Sequence, residues 1–204
     1  MDVAILLDGD FTRRVLRRKL GHWPSVRDLE HFCKSIPLKD ETIVGQVLYY
    51  DCPPFGGKRD LPVSESSFDF ARTRVYAQAM AFQDEMQNSS FFKYRRGHLS
   101  FDGWTLKGSA VTRLIAAPRP IEDSDFEPIL SQKQVDMKIG LDVAKISIRK
   151  AAGRILLATS DADFIPAIDF ARGLGLEAVL LTDIAAIRRT KGVLVRSFTS
   201  HRLI

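Results

Sequence analysis

Residues 154–166 read RILLATSDADFIP, and the fold turns on this stretch. Ile155, Leu156, Leu157 and Ala158 form a short unbroken apolar run, the mark of a strand buried on both faces. Thr159 and Ser160 end it, and Asp161 and Asp163 follow at once. Pro166 then stands where the first turn of a helix tolerates proline. A buried strand handing over to acids and then to a helix is a building block of a parallel α/β sheet. The start of the chain repeats the layout: residues 3–7 are apolar, and Asp8 and Gly9 follow directly.

The rest of the chain alternates in the same way. The spacing predicts a helix over 11–20, a second over 26–35 capped by Ser25, and a β-branched, aromatic strand over 42–50. Three prolines and two glycines make 52–66 a loop. Residues 67–88 read as one long helix, with Phe68, Ala71, Val75, Ala79 and Phe82 on one stripe, and 91–96 as a strand. The segment 97–133 combines a candidate strand, 110–116, with a proline-rich acidic loop, 118–128. A helix over 135–150 follows, then a strand at 154–159 and a helix at 163–174 closed by Gly173 and Gly175. A strand at 176–181, a short helix at 185–190 and a last strand at 193–198 complete the pattern. The expected architecture is one α/β domain over residues 1–204: a Rossmann-like parallel sheet with helices on both faces and a loop-rich insertion at about 97–133.

Composition sets the outer limits. The chain has 204 residues, 45% apolar and 27% charged, which excludes global disorder and a disulfide scaffold. No apolar run approaches the ~18 residues of a membrane span, so no membrane partner is expected. The opening MDVAILLDGD has neither a basic leader nor a small-residue cleavage site, and does not read as a signal peptide. Cys33 and Cys52 read as free thiols, which points to a reducing, cytoplasmic setting. Net charge is +5 and the sequence pI about 9.3. A mildly basic soluble surface accounts for that, but clustering points further, to a polyanion. Arg13, Arg14, Arg17, Arg18 and Lys19 place five cations in seven residues. Lys93, Arg95 and Arg96 form a second group, and Arg188, Arg189 and Lys191 a third.

The aspartates carry the chemistry. Asp8 and the pair Asp161 and Asp163 end strands that read as buried, and in open parallel sheets ligands bind outside such strand ends. If the two strands are neighbours, the three carboxylates converge. Val135, Ile139, Asp142 and Ile146 share one helix face, which places Asp142 in an apolar stripe. Asp136 opens the same helix on another face. Each has an ordinary alternative: Asp163 and Asp136 as helix caps, Asp8 as a turn residue, Asp142 as partner of a buried Lys or Arg. Together they are better explained by a cation that offsets crowded like charges, and hard oxygen ligands suit Mg²⁺ or Mn²⁺. The four His and two Cys lack zinc-ligand spacing. There is no Walker A, GxGxxG or GxSxG motif.

Three segments resemble the NYN domain, a branch of the PIN-like nuclease superfamily. They are the strand and Asp-Gly of residues 5–11, the Val135-Asp136 helix through Ala144, and the strand, Ser160-Asp161 and Asp163-Phe164 of residues 156–166. Two positions depart from the pattern: an Asn three places after the first Asp is Phe11 here, and a Gly in the third motif is Ser160. The resemblance implies a PIN-like fold and a metal-dependent ribonuclease. Asp8, Asp136, Asp161 and Asp163 would be catalytic, holding Mg²⁺ or Mn²⁺ together with Asp142. The partner it implies is RNA, single-stranded in the first instance with DNA also open, and a homodimer is a candidate assembly. Arg13, Arg14, Arg17 and Arg18 lie on one helix flank beside Asp8, where a phosphate backbone would run, with Thr159 and Ser160 as further phosphate contacts. Phe11, Trp23 and Trp104 are candidates for base stacking or, more ordinarily, core and loop anchors.

Two other functions fit parts of the pattern. Residues 8–12 match the DxDxT motif of haloacid dehalogenase-like phosphatases, with Asp8 as nucleophile and Asp10 as general acid, but that leaves Asp136 and Asp142 without a role. The same fold would also serve as a non-catalytic RNA-binding module.

Overall fold

The computed structural model describes residues 1–190 and 192–204; Lys191 of the third basic group lies outside them. In chain order the elements are β1 (Asp2–Asp8), α1 (Gly9–Leu20), α2 (Val26–Ser35), β2 (Thr42–Ile43), β3 (Val47–Asp51), β4 (Lys58–Asp60) and β5 (Ser67–Asp69). Next come α3 (Arg74–Gln87), β6 (Phe92–Arg96), β7 (His98–Leu106), α4 (Gly108–Ala116), β8 (Phe126–Lys133) and α5 (Val135–Arg149). The last third holds β9 (Arg154–Ala158), α6 (Ile165–Gly173), β10 (Glu177–Thr182), α7 (Ile184–Arg189), α8 (Val193–Ser197) and β11 (Ser200–Leu203). Among the described residues, no helix is long and apolar enough to cross a membrane.

The chain divides into two compact units. The first comprises Met1–Asp51, Asp84–Gly97 and Gln134–Ile204. Its sheet runs in the order β11-β10-β9-β1-β3-β6, with every pairing parallel and β2 as an extra short strand beside the start of β1. Every residue from Val3 to Leu7 is buried, as are Ile155 to Ala158, so both faces of these central strands are covered. The chain goes from β1 outward to β3 and β6, then returns to the other side of β1 for β9, β10 and β11. The direction of winding therefore reverses between β1 and β9.

Four local expectations are corrected in this unit and the next. The strand expected over 42–50 is two strands, because Gly45 takes a left-handed φ of 66° that interrupts it. The helix expected over 67–88 begins only at Arg74. Asp69 caps a 3-10 turn by accepting from Ala71 N at 3.0 Å, and the Thr73 hydroxyl accepts from Tyr76 N at 3.1 Å, so two polar side chains pull the chain out of helix first. Residues 110–116 are helical rather than extended: Ala110, Val111, Leu114 and Ile115 follow helical i, i+1, i+4, i+5 spacing. The last strand lies at Ser200–Leu203, and the expected strand at 193–198, with its apolar run 193–195, is instead a short helix over Val193–Ser197. A run that short does not distinguish strand from helix by its pattern.

The second unit comprises Cys52–Gln83 and His98–Lys133, so it takes in more chain than the insertion expected at 97–133. It holds two antiparallel pairs, β4 with β5 and β7 with β8, the latter with a bulge between Phe101 and Gly103. Phe55, Phe68, Phe70, Phe101 and Trp104 pack edge to face and stacked, with ring centroids 4.9 to 6.5 Å apart. Trp104 Nε1 donates to Asp60 O at 2.9 Å, which makes it an anchor of this cluster. Buried Asp125 accepts two bonds from Arg119, at 2.6 and 2.8 Å, and that pairing lowers its pKa to about 2.

Candidate functional site

β1 and β9 are direct neighbours, with Leu7 opposite Ala158. Their carboxyl ends therefore deliver Asp8 and the Asp161 turn to one edge, at the point where the winding reverses. Asp8 is the N-cap of α1 and accepts from Phe11 N at 3.2 Å. Gly9 has to be glycine: a Cβ there would lie 2.6 Å from Tyr50 O and 2.7 Å from the Tyr49 hydroxyl. The Asp-Gly step thus lets α1 start hard against the end of β3.

The acids on this edge feel one another. Burial, followed by the charges of Asp10, Asp136 and Asp51, pushes the Asp8 carboxyl up to about 7, against a lowering by the Phe11 N–H. Asp136, in the first turn of α5, is raised by burial and by the charges of Asp161 and Asp163. These mutual effects link segments that the sequence separates widely: the ends of β1, β3 and β9, and the start of α5. Asp161 rather than Asp163 caps the following turn, accepting from Asp163 N at 2.9 Å. The cap of α5 is Gln134, so Asp136 is not a cap either. Asp163 is exposed.

Asp51 is the residue that sequence reading missed. It follows Tyr50, which is paired with Asp8, and is buried at the end of β3. The signal was available: an acid directly after a β-branched and aromatic strand has the same form as Asp8 after β1. Arg13 lies 3.8 Å from Asp51, and the Tyr49 hydroxyl donates to it at 3.2 Å.

Asp142 leaves the expected metal set. Arg95 on β6 grips both of its oxygens, at 2.7 and 3.0 Å, and the buried Tyr50 hydroxyl donates at 2.9 Å. Burial in an apolar stripe is thus resolved by a guanidinium, the ordinary way a buried carboxylate is satisfied. The remaining acids offer hard carboxylate oxygens, the donor type that suits a divalent cation. They line an edge rather than a closed cage: among the described residues, no three His, Cys, Asp or Glu side chains gather closely enough to hold a metal ion as placed.

The arginines of α1 form two pairs rather than one flank. Arg13 and Arg17 stack on the half-exposed ring of Trp23, at 5.1 and 4.4 Å from its centroid. Arg14 and Arg18 are ion-paired with Asp10 and Asp183. Phe11 is core. Thr159 is fully buried and shapes the turn, its hydroxyl accepting from Asp161 N at 3.1 Å. Ser160 is partly exposed beside Arg14 and Arg18.

No protein-family model matches the chain, and no curated protein matches it. The crystal structure of a protein of unknown function from Vibrio parahaemolyticus is similar over 100% of this chain and 92% of that one, at a TM-score of 0.53 and 12% identity. The parallel sheet of helix-flanked strands is a Rossmann-like α/β arrangement.

Proposed function

We propose that the protein is a metal-dependent ribonuclease of the NYN, PIN-like kind, hydrolysing phosphodiester bonds at the edge where β1 and β9 meet. One observation carries the reading. Asp8, Asp136, Asp161 and Asp163 come from three separate segments to the carboxyl-end edge at which the strand order reverses, and Asp8 and Asp136 are both raised by their acidic neighbours.

On this reading those four acids would hold Mg²⁺ or Mn²⁺. Such an ion, when bound, lowers the pKa of a coordinated water and offsets charge on the scissile phosphate. The chain supplies the frame. The Phe11 N–H engages Oδ1 of Asp8, and the Asp163 N–H engages Oδ1 of Asp161, so each carboxylate is oriented by backbone. Asp51 adds negative charge beside Asp8. Arg13 and Arg17, stacked on Trp23, supply cations on the adjoining helix for a phosphate backbone.

The test is cleavage of end-labelled single-stranded RNA with Mn²⁺, with Mg²⁺ and with EDTA, with Asp161→Asn purified in parallel. Metal-dependent cleavage that vanishes in the variant is the expected result. RNA binding without cleavage in either metal would sink the nuclease and leave a binding module.

A further inference from the structure

Helix α5 exposes an apolar seam. Met137, Leu141 and Ile148 are 68%, 60% and 66% exposed, and with Ala144 they follow the alternating four-three-four spacing of a heptad seam. The other side of the helix is buried, with Val135, Ile139, Asp142 and Val143 turned inward. α6 lies alongside in the same unit: a Cβ on Gly140 would come 3.9 Å from the Ala167 Cβ. Short connections join α5 to the start of β9 and α6 to its end, so both helices run back along β9 and are parallel to each other. Phe170 on α6 and Leu174 at its C-cap are each 45% exposed. In parallel right-handed helices that touch at Gly140 and Ala167, residues one, four and eight places after Gly140 turn outward on the same side as those three and seven after Ala167. Five large apolar side chains thus form one face across two helices. At roughly 100 Å² apiece they show about 500 Å², a large apolar patch for a monomer, and about 1,000 Å² for two copies, the size at which specific interfaces begin.

The face is complementary to itself. By the same geometry the exposed Lys145 and Arg149 lie on the flank of α5 away from α6, and the exposed Asp169 on the flank of α6 away from α5. A half-turn about an axis along the helices sets α5 of one copy on α6 of the other and brings each cationic flank to an acidic one. A half-turn that lays α5 on α5 sets cations against cations instead. An axis along the helices also keeps every residue at its own level. Phe170 of one copy then meets the gap that the small Ala144 leaves between Leu141 and Ile148 of the other, and Leu174 meets Ile148. We propose that the protein pairs with a second copy of itself through this face, α5 of each on α6 of the other. The pairing does not depend on what the acids do. It sets the two acidic edges at the same end of the pair, because Asp136 opens α5 at that edge in each copy.

Sedimentation velocity over ~1–200 µM protein is the test. Mass should rise from 22.9 kDa toward twice that value, with half-association on the order of 10 µM for an interface at the small end of the range. Leu141→Asp and Phe170→Asp, both at exposed positions, should each weaken association at least ~30-fold, the loss typical of a central apolar contact, with an unchanged circular dichroism spectrum. Cross-linking reads the arrangement. Ile148→Cys and Leu174→Cys chains, mixed and oxidised, should give a disulfide-linked dimer, and either variant alone far less; native Cys33 and Cys52 are buried and stay out of the reaction. A mass of 22.9 kDa at every concentration overturns the proposal, as does association that survives both charged variants. Self-linking of Ile148→Cys as strong as the mixed linking overturns the seating of α5 on α6.

Discussion

Replacing Asp8 by Asn should make the protein more stable at alkaline pH. Burial and three neighbouring aspartates lift Asp8 from an ordinary 3.8 to about 7. An acid whose folded pKa lies above its unfolded one holds its proton more tightly when folded. Wild-type stability therefore falls as pH rises from about 4 to about 7, and the deficit is constant above that. At ~1.4 kcal/mol per pH unit, ionised Asp8 costs about 4 kcal/mol at pH 8.5 as a ceiling, trimmed by the water that reaches this partly open edge. Asn removes the charge and caps a helix as well as Asp does. For a chain of this size each kcal/mol moves Tm by ~2–4 °C, so the variant should melt ~5–15 °C above wild type at pH 8.5. Thermal melts across pH check this, and the gain should vanish by about pH 4. An Asn variant no more stable than wild type at pH 8.5, or a gain of equal size at pH 4, would refute the argument. Mn²⁺ added at pH 8.5 should return part of the deficit to wild type and none to the variant.

Three other outcomes follow from the same contacts. Arg95→Leu strands the buried Asp142 with only Tyr50, and chemical denaturation should show a loss of about 3 kcal/mol, while the double change with Asp142→Leu should recover much of it. Gly9→Ala forces a Cβ into Tyr50 O and the Tyr49 hydroxyl, so a loss of ~1–3 kcal/mol is expected together with weakened cleavage, since α1 and its cap must move. Asp10→Asn removes an exposed ion pair with Arg14 and one of the charges that raise Asp8, but no proposed metal ligand; RNA cleavage should stay within about threefold of wild type, whereas a phosphatase using Asp10 as its acid would lose activity altogether.

Much of the first unit was legible because its strands are buried on both faces. Residues 3–7 and 155–158 are unbroken apolar runs that admit one reading in context, and the acids after them mark the edge they reach. The cap at Ser25 and the helix it opens were equally plain, since Ser25 and Asp28 engage each other's backbone. The second unit was not legible. Its interior is a cluster of partly exposed aromatics, no residue of β7 or β8 is buried, and a bulge breaks their register, so no clean alternation of buried and exposed residues develops. Asp142 shows a different boundary. The sequence placed it correctly on the buried stripe of α5, but its partner Arg95 belongs to another element, and nothing local distinguishes a ligand from half of an ion pair. Likewise the spacing of Arg13, Arg14, Arg17 and Arg18 shows a basic helix flank, and only packing reveals that Trp23 takes one pair and Asp10 and Asp183 the other.

The order of synthesis adds something to the reversal between β1 and β9. Asp8 is made some 150 residues before Asp161. A nascent chain can pair β1 with β3 and β6 early, but the flank of β1 that faces β9 stays an open, apolar edge until β9 arrives. The acidic edge is consequently assembled only once β9 has been made. A product that stops before β9 has Asp8 without Asp161 or Asp163, and presents an unpaired strand to its neighbours. Such fragments should lack the site and be prone to aggregate, so this connectivity ties assembly of the edge to the synthesis of β9.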